Sequence, residues 1–225
     1  MLISLTDLLS WRVRAGERRL ALHDLLFEAE TRRLVYVMVE PAGLAPGDRV
    51  LIAASALGVP EAEAQEMPLH LREDELDRAP RCGGGHDEMV AMLAAMPPMV
   101  IGPFGAPSAP LLMPEHERPG EDEPDPRAQA ALARYDRLGD WLGHPVFARD
   151  GEAGTVSDLL YDPVAGELTH IVVDNGKLFG HRQRAVPMFE LVTRAEAERG
   201  GHVVLDLTLA GLETAPLASD MLSPE

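Results

Sequence analysis

The feature of this sequence that most constrains its fold is an internal repeat. A shift of 134 residues places His23–Glu28 (HDLLFE) on Ser157–Asp162 (SDLLYD), and it places Leu34–Glu40 (LVYVMVE) on Leu168–Asp174 (LTHIVVD). Apolar positions mostly coincide with apolar positions, and the acid at the end of each segment coincides with another acid. The match runs without a gap over residues 16–57 of the first copy. We infer a duplication, which predicts two copies of one small fold.

Each copy has the pattern of short strands separated by turns. The β-branched runs Leu34–Val39 and Leu168–Val173 are typical of strands that are buried on much of both faces. After a two-residue slip the repeat continues to Ala79-Pro80 and Ala215-Pro216. Several short strands in about 80 residues favour a small antiparallel barrel, because closure removes the exposed edges of a sheet. The other predicted strands are Val50–Ala53 and Ala185–Pro187 as third strands, and His70–Leu71 and Val203–Thr208 as fourth strands.

The second copy carries the motifs of a known family. They are Asp150–Val156 (DGEAGTV), Asp158–Asp162 (DLLYD), Ile171–Asp174 (IVVD), Ala185–Pro187 (AVP) and the closing Ala215-Pro216. In these motifs the segment 138–217 resembles the PRC-barrel domain, which is shared by the photosynthetic reaction-centre H subunit and the ribosome-maturation factor RimM. The first copy is similar but more divergent, with Ala53 at the position of Pro187. The residues that define the repeat are Asp24, Leu25, Leu26, Asp158, Leu159, Leu160, Pro187 and Pro216.

The resemblance implies a mainly β protein made of two small antiparallel PRC-type barrels. The predicted regions are a divergent first repeat at residues 1–80, a connector at 81–137 and a second repeat at 138–219. The family implies little about function, because such barrels serve as adaptor and assembly modules in unrelated complexes.

The connector has an unusual composition. No charged side chain occurs from Met89 to Met113, but five prolines in this stretch argue against a continuous membrane-spanning helix. The methionines of a short predicted helix share one face, which predicts packing on the protein's own barrels or, as the alternative, on a partner. A second helix is predicted from Pro126 to about Leu138. The candidate partner-contact residues in the connector are Met89, Met92, Met96, Met99 and Phe104.

Charge and cysteine content limit the partners and the compartment. The chain has 37 acidic and 20 basic residues, for a formal net charge of −17, which disfavours direct binding of nucleic acid. The single cysteine, Cys82, cannot form an internal disulfide, so we expect a cytoplasmic protein. The partner is expected to be another protein or a second copy of the chain. Peripheral association with a membrane remains open.

The sequence offers no convincing site for catalysis, a metal or a cofactor. The repeated acid pairs, Asp24 with Glu28 and Asp158 with Asp162, flank predicted hairpins, where acids commonly cap turns. The eight histidines show no ligand spacing, and His170 is interpreted as a partly buried strand residue. We therefore predict a non-enzymatic adaptor or assembly protein without cofactors. The alternatives are a ribosome-maturation-like factor that binds a basic ribosomal protein, and a peripheral subunit of a photosynthetic or other membrane complex.

Overall fold

The chain forms two compact units whose boundaries do not follow chain order. In this computed structural model, the structure describes residues 2–40, 49–61, 64–71, 75–76, 79, 81–82, 130, 134–176, 182–195 and 201–222. The first unit comprises Ser10–Asp136, and the second unit comprises Met1–Leu9 together with Arg137–Glu225. The N-terminal segment thus belongs to the unit that contains the second repeat. The predicted division follows chain order and places this segment with the first repeat.

The described part of the chain is mainly β, as predicted. The helices are α1 (Leu5–Ser10), α2 (Leu209–Thr214) and α3 (Ala218–Met221). The strands are β1 (Ile3–Ser4), β2 (Arg12–Ala15), β3 (Arg18–Glu28), β4 (Leu34–Glu40), β5 (Arg49–Ala53), β6 (Glu66–Pro68), β7 (Arg81–Cys82), β8 (Tyr135–Arg137), β9 (Pro145–Ala148), β10 (Gly151–Asp162), β11 (Glu167–Asp174), β12 (Gln183–Pro187), β13 (Leu191–Ala195) and β14 (His202–Leu205). Short 3-10 helices follow β5, β8 and β12.

Five strands have the same order in the two sheets, since β6-β2-β3-β4-β5 of the first corresponds to β14-β9-β10-β11-β12 of the second. The first sheet runs β6-β2-β3-β4-β5-β7, and the second runs β12-β11-β10-β9-β14-β13. In each sheet the long central strand, β3 or β10, pairs antiparallel with the strands that precede and follow it. A parallel pair, β2 with β6 or β9 with β14, extends each sheet on one side. This agreement in topology is what a duplicated unit predicts.

The register of the two sheets agrees down to the β-bulges. In the first sheet the β3–β4 register shifts between Leu22 and Asp24 and between Leu26 and Phe27. In the second sheet the β10–β11 register shifts at the equivalent positions, between 156 and 158 and between 160 and 161. Bulges bend a strand and increase its twist, so these shared positions give both central strands the same course.

One bulge is present only in the second sheet, and it corrects the sequence alignment. The β9–β10 register skips Ala153, whereas the β2–β3 register is continuous. The shift between equivalent residues is therefore 134 after Ala153 but 133 before it, which places Phe147 on Arg14 and Val146 on Val13. The gapless alignment predicted for residues 16–57 is wrong in its first few positions for this reason.

The cores come from the strands that the hydrophobic pattern predicts. Six consecutive residues of β4, Leu34–Val39, are buried, and so are Ile171, Val172 and Val173 of β11. Two element predictions are wrong. His70–Leu71 is not a strand, because the strand that pairs with β2 is β6. The helix predicted to reach Leu138 is replaced at Tyr135–Arg137 by β8, which pairs with β3.

Candidate functional site

The second unit carries an apolar surface on the outer side of β9, β14 and β13. Val203 lies beside Val146, and both side chains are buried in the core. The next residues along these strands, Val204 and Phe147, are also neighbours. Because successive side chains of a strand point to opposite faces, this second pair lies on the outer face. Phe147 is 37% exposed.

The neighbouring strand enlarges this surface. A bulge in β13 places Val192 and Thr193 opposite Val204, and Val192 is 61% exposed. Phe189, in the short helix immediately before β13, is 78% exposed. The ring of Phe147 also contacts the imidazole of His202 edge-to-face, with centroids 5.9 Å apart. We call this set of residues the apolar face: Phe147, Phe189, Val192, His202 and Val204.

Acidic side chains accompany the apolar face. Glu152 on β10 lies directly beside Phe147 in the sheet and is exposed. Glu190 follows Phe189 in the chain. The nearby cation Arg149 forms an ion pair with Asp206, with its Nε 2.6 Å from Oδ1. Its charge is thereby balanced within the unit, and Glu152 and Glu190 add negative charge beside the exposed aromatic and aliphatic side chains.

The equivalent surface of the first unit is charged. Arg14 occupies the place of Phe147, and Glu66 occupies the place of His202, because β2 and β6 have the same relation as β9 and β14. Arg14 Nε lies 3.1 Å from Glu66 Oε2. Arg14 also pairs with Glu61, and Arg19 pairs with Glu66. The same position in the same sheet thus holds an ion-pair cluster in one unit and an aromatic pair in the other.

The second unit also contains a buried carboxylate with several donors. Asp158 is 7% exposed and accepts hydrogen bonds from the Ser4 hydroxyl at 2.5 Å, the Thr6 amide at 3.0 Å and the Leu159 amide at 2.8 Å. Burial raises the pKa of Asp158 above its ordinary value, and the hydrogen bonds from Ser4, Thr6 and Leu159 act in the opposite direction. Two of its three donors come from the N-terminal segment, so this acid has a structural role in the fold.

The repeated acid pairs do not act as pairs. Asp162 accepts from the amides of Val164 and Ala165 and thus caps the turn after β10, as predicted. Asp158, in contrast, lies inside the strand at a bulge and not at a turn. Asp24 is likewise buried within β3, where its Oδ1 accepts from the Leu25 amide. The prediction that both acids of each pair cap turns is therefore wrong for Asp24 and Asp158, since the turn begins only after the second acid, four residues later.

The other residues singled out by the sequence have mostly structural surroundings. Leu25, Leu26, Leu159 and Leu160 are completely buried, and the carbonyl of Pro216 accepts from the Ala185 amide at 3.0 Å. Pro187 ends β12 beside His170, whose half-buried imidazole has a pKa lowered by desolvation. The candidate contact residues Met89, Met92, Met96, Met99 and Phe104 lie outside the described residues.

Sequence reasoning missed the apolar face. Phe147 and Val192 lie in short strands whose exposed positions are not distinguished by periodicity from core positions. A signal was nevertheless present, because the second copy has aromatic or aliphatic residues where the first has Arg14, Ser55 and Gly58. In the part of the chain that the structure describes, no group of three His, Cys, Asp or Glu side chains is arranged to hold a metal ion. No helix among those residues is long and apolar enough to cross a membrane.

Comparison with known families finds a match, and it covers most of the second repeat. Residues 134–206 match the PRC-barrel domain family. The predicted resemblance is thereby confirmed for this segment, which includes β8–β14 and therefore all five residues of the apolar face. The match does not extend over the first repeat, and the tandem arrangement stays a prediction. No curated protein matches the chain significantly.

Proposed function

We propose that this protein is a non-catalytic adaptor or assembly factor that binds a protein partner through the apolar face of its second unit. The proposal includes the tandem arrangement, in which each sheet is a PRC-type barrel and the two derive from one ancestral module. Shared strand order, shared bulges and the family match of the second segment support this arrangement. A cytoplasmic location is part of the same proposal, since the single cysteine requires no oxidising compartment.

The observation that carries the proposal is that equivalent surface positions of the two units hold charged side chains in the first unit and aromatic side chains in the second. Arg14 and Glu66 form an ion pair that suits a solvated surface, whereas Phe147 and His202 present rings to solvent at the equivalent place. Val192, opposite Val204 on the neighbouring strand, and Phe189, in the short helix before β13, are also exposed. Contiguous apolar groups on a protein surface commonly mark an interaction site, and aromatic anchors supply much of the binding energy in protein interfaces.

The charges define the kind of partner. Glu152 lies beside Phe147 and Glu190 lies beside Phe189, on a chain with a net charge of −17. A complementary partner presents an apolar residue surrounded by Lys or Arg side chains. Long-range attraction to such a partner accelerates association and weakens as salt is added. We therefore expect a basic protein partner whose association rate falls with ionic strength.

A pull-down with matched variants tests this function. The wild-type chain is compared with a triple variant, Phe147→Ser, Phe189→Ser and Val192→Ser, which removes the exposed apolar groups without altering buried residues. The control is Val164→Ser, which removes a side chain that is 92% exposed in the turn between β10 and β11. Captured proteins are identified by mass spectrometry, and the candidate partner is then purified and its affinity measured for each variant.

We expect the wild type and Val164→Ser to bind the same basic protein, and the triple variant to lose at least 100-fold in affinity, the effect of a few hot-spot side chains. Circular dichroism of the triple variant verifies that the fold is intact. Equal affinities of the wild type and the triple variant would refute the assignment of the apolar face as the binding surface.

A ribosome-maturation-like role is the second candidate function, and the acidic residues Glu152 and Glu190 next to Phe147 and Phe189 favour it. Ribosomal proteins are a large class of basic partners, and the match of residues 134–206 covers the module that resembles that of the maturation factor. Co-sedimentation with small-subunit precursors at low salt tests this case. Recovery of the protein entirely in the unbound fraction would leave the general adaptor role and eliminate this one.

A further inference from the structure

The first residues of the chain complete the sheet of the second unit. In β1, Ile3 pairs with Tyr161 and Ser4 pairs with Leu160, both on β10. β9 pairs with residues 151–155 of β10, whereas β1 pairs with residues 160–161 farther along the strand. The N-terminal segment therefore occupies a stretch of β10 that β9 does not reach.

This segment is held by side chains as well as by the backbone ladder. The Ser4 hydroxyl donates to Asp158 Oδ2, and the Thr6 amide donates to Oδ1. Ser4 Oγ in turn accepts from the Asp7 amide at 3.0 Å. Leu2 packs against the buried cluster that contains Leu160 and forms a bridge to Leu222. Without Ser4 and Thr6, Asp158 would keep the Leu159 amide as a donor but lose the other two, and the loss of hydrogen bonds to a buried acid is costly.

The segment before the second repeat has the reciprocal position in the first unit. β8 pairs with β3, and the Ala29 amide donates to the Arg134 carbonyl at 2.8 Å. Tyr135 contacts Tyr36 of β4 edge-to-face, with centroids 5.8 Å apart. β1 and β8 are each followed directly by a short helix and then by the strand that pairs with the central strand of their own repeat. They are therefore equivalent leader strands, and each one completes the other repeat's sheet.

We infer that the β10 edge at Asp158, Leu160 and Tyr161 is a strand-binding site whose ligand is the N-terminal segment 2–9 of this chain. Together with the reciprocal site for β8, it joins the parts of the chain that precede and follow residue 120. Each unit contains residues from both sides of that position. Cutting the connector therefore leaves two fragments that share both sheets.

The inference is tested on the full chain after a single cut. A specific protease site is inserted after Gly120, and complete cleavage is verified on a denaturing gel. Size-exclusion chromatography with light scattering then gives the mass of the cut protein under native conditions. We expect the two fragments to elute together with the mass of the uncut chain. Separate elution of the fragments would overturn the inference.

Matched variants test whether the Ser4–Asp158 hydrogen bond contributes to the association of the two fragments. The dissociation constant of the cut fragments is measured for wild type, Ser4→Ala and Ser157→Ala. Ser157 donates to the Val172 carbonyl within the C-terminal fragment, so its hydroxyl does not join the fragments. We expect Ser4→Ala to raise the dissociation constant about tenfold, or about 1.4 kcal/mol, and Ser157→Ala to leave it within twofold. Equal effects of the two substitutions would contradict the inference.

Hydrogen exchange of the uncut chain gives an independent measurement. The Thr6 amide, which donates to Asp158, should exchange slowly in the wild type and at least tenfold faster in Asp158→Ala. The Val164 amide, which donates to Asp162, is the internal control and should be unchanged. Rapid exchange of the Thr6 amide in the wild type would show that the N-terminal segment is not bound.

Discussion

At Gly154, in the described part of the second unit, a single added methyl group would conflict directly with the fold. It lies in β10 next to the bulge at Ala153, opposite Val146 of β9. Its φ is +133°, and a Cβ atom built on it would lie 2.0 Å from the carbonyl oxygen of Asp174 and 2.9 Å from Cα of Asn175. These neighbours are backbone atoms, so the contact cannot be relieved by a side-chain rotation. The strands themselves must separate.

The expected cost of Gly154→Ala has two parts. A non-glycine residue at this φ costs about 1–3 kcal/mol, and displacing packed backbone costs about 1–3 kcal/mol more. We therefore predict a loss of about 4 kcal/mol in the free energy of unfolding of the second unit. Gly143→Ala is the matched control, because its φ is +78° and a Cβ atom there would meet nothing within 4 Å. It should lose only the conformational part, about 1–2 kcal/mol.

The assay is urea unfolding followed by tryptophan fluorescence. The chain has two tryptophans, Trp11 in the first unit and Trp141 in the second. In a Trp11→Phe background the fluorescence of buried Trp141 reports the second unit alone. A Gly154→Ala variant that is no less stable than Gly143→Ala would refute the close approach of β10 and the end of β11.

Three further predictions concern the second unit. The pKa of Asp158 is raised, so the folded state binds a proton at a higher pH than the unfolded chain, and the contribution of Asp158 to the free energy of unfolding falls as pH rises above 3.8. Urea titrations from pH 4 to 7 should therefore show the stability of Asp158→Asn rising relative to wild type. A constant or falling difference in stability would contradict this sign. Leu160→Ala should cost about 2–5 kcal/mol in the same assay, because Leu160 is completely buried in the cluster with Val172, and a cost below 1 kcal/mol would be inconsistent with that burial. Thr208→Ala should cost about 1 kcal/mol, because its hydroxyl caps α2 by accepting from the Gly211 amide; an equal loss in Thr214→Ala, whose hydroxyl donates at the other end of the helix, would argue against a specific cap.

The apolar face shows which features of a surface local sequence patterns can predict and which they cannot. The sequence pattern predicts a strand at Val203–Thr208, close to β14, but its partner strand β9 is more than fifty residues away in the chain. Whether Phe147 meets Val204, a charge or the core depends on the parallel pairing of these strands. The comparison of the two copies was informative at this point, since the change from Arg14 to Phe147 occurs at one structural position. That position was hidden by the extra residue Ala153 in the alignment.

The sequence by itself was sufficient to predict the central strands and their buried leucines. These features are local, because a β-branched run or an alternation of apolar and polar residues favours a strand with a buried face whatever its partner strands are. The tertiary structure decided which leader strand joins which sheet. β1 has only two residues, and its pairing with β10 is fixed by Ser4, Thr6 and Asp158 across more than 150 positions of the chain. No local propensity encodes such a choice. It follows from the cost of leaving a buried carboxylate with too few hydrogen-bond donors.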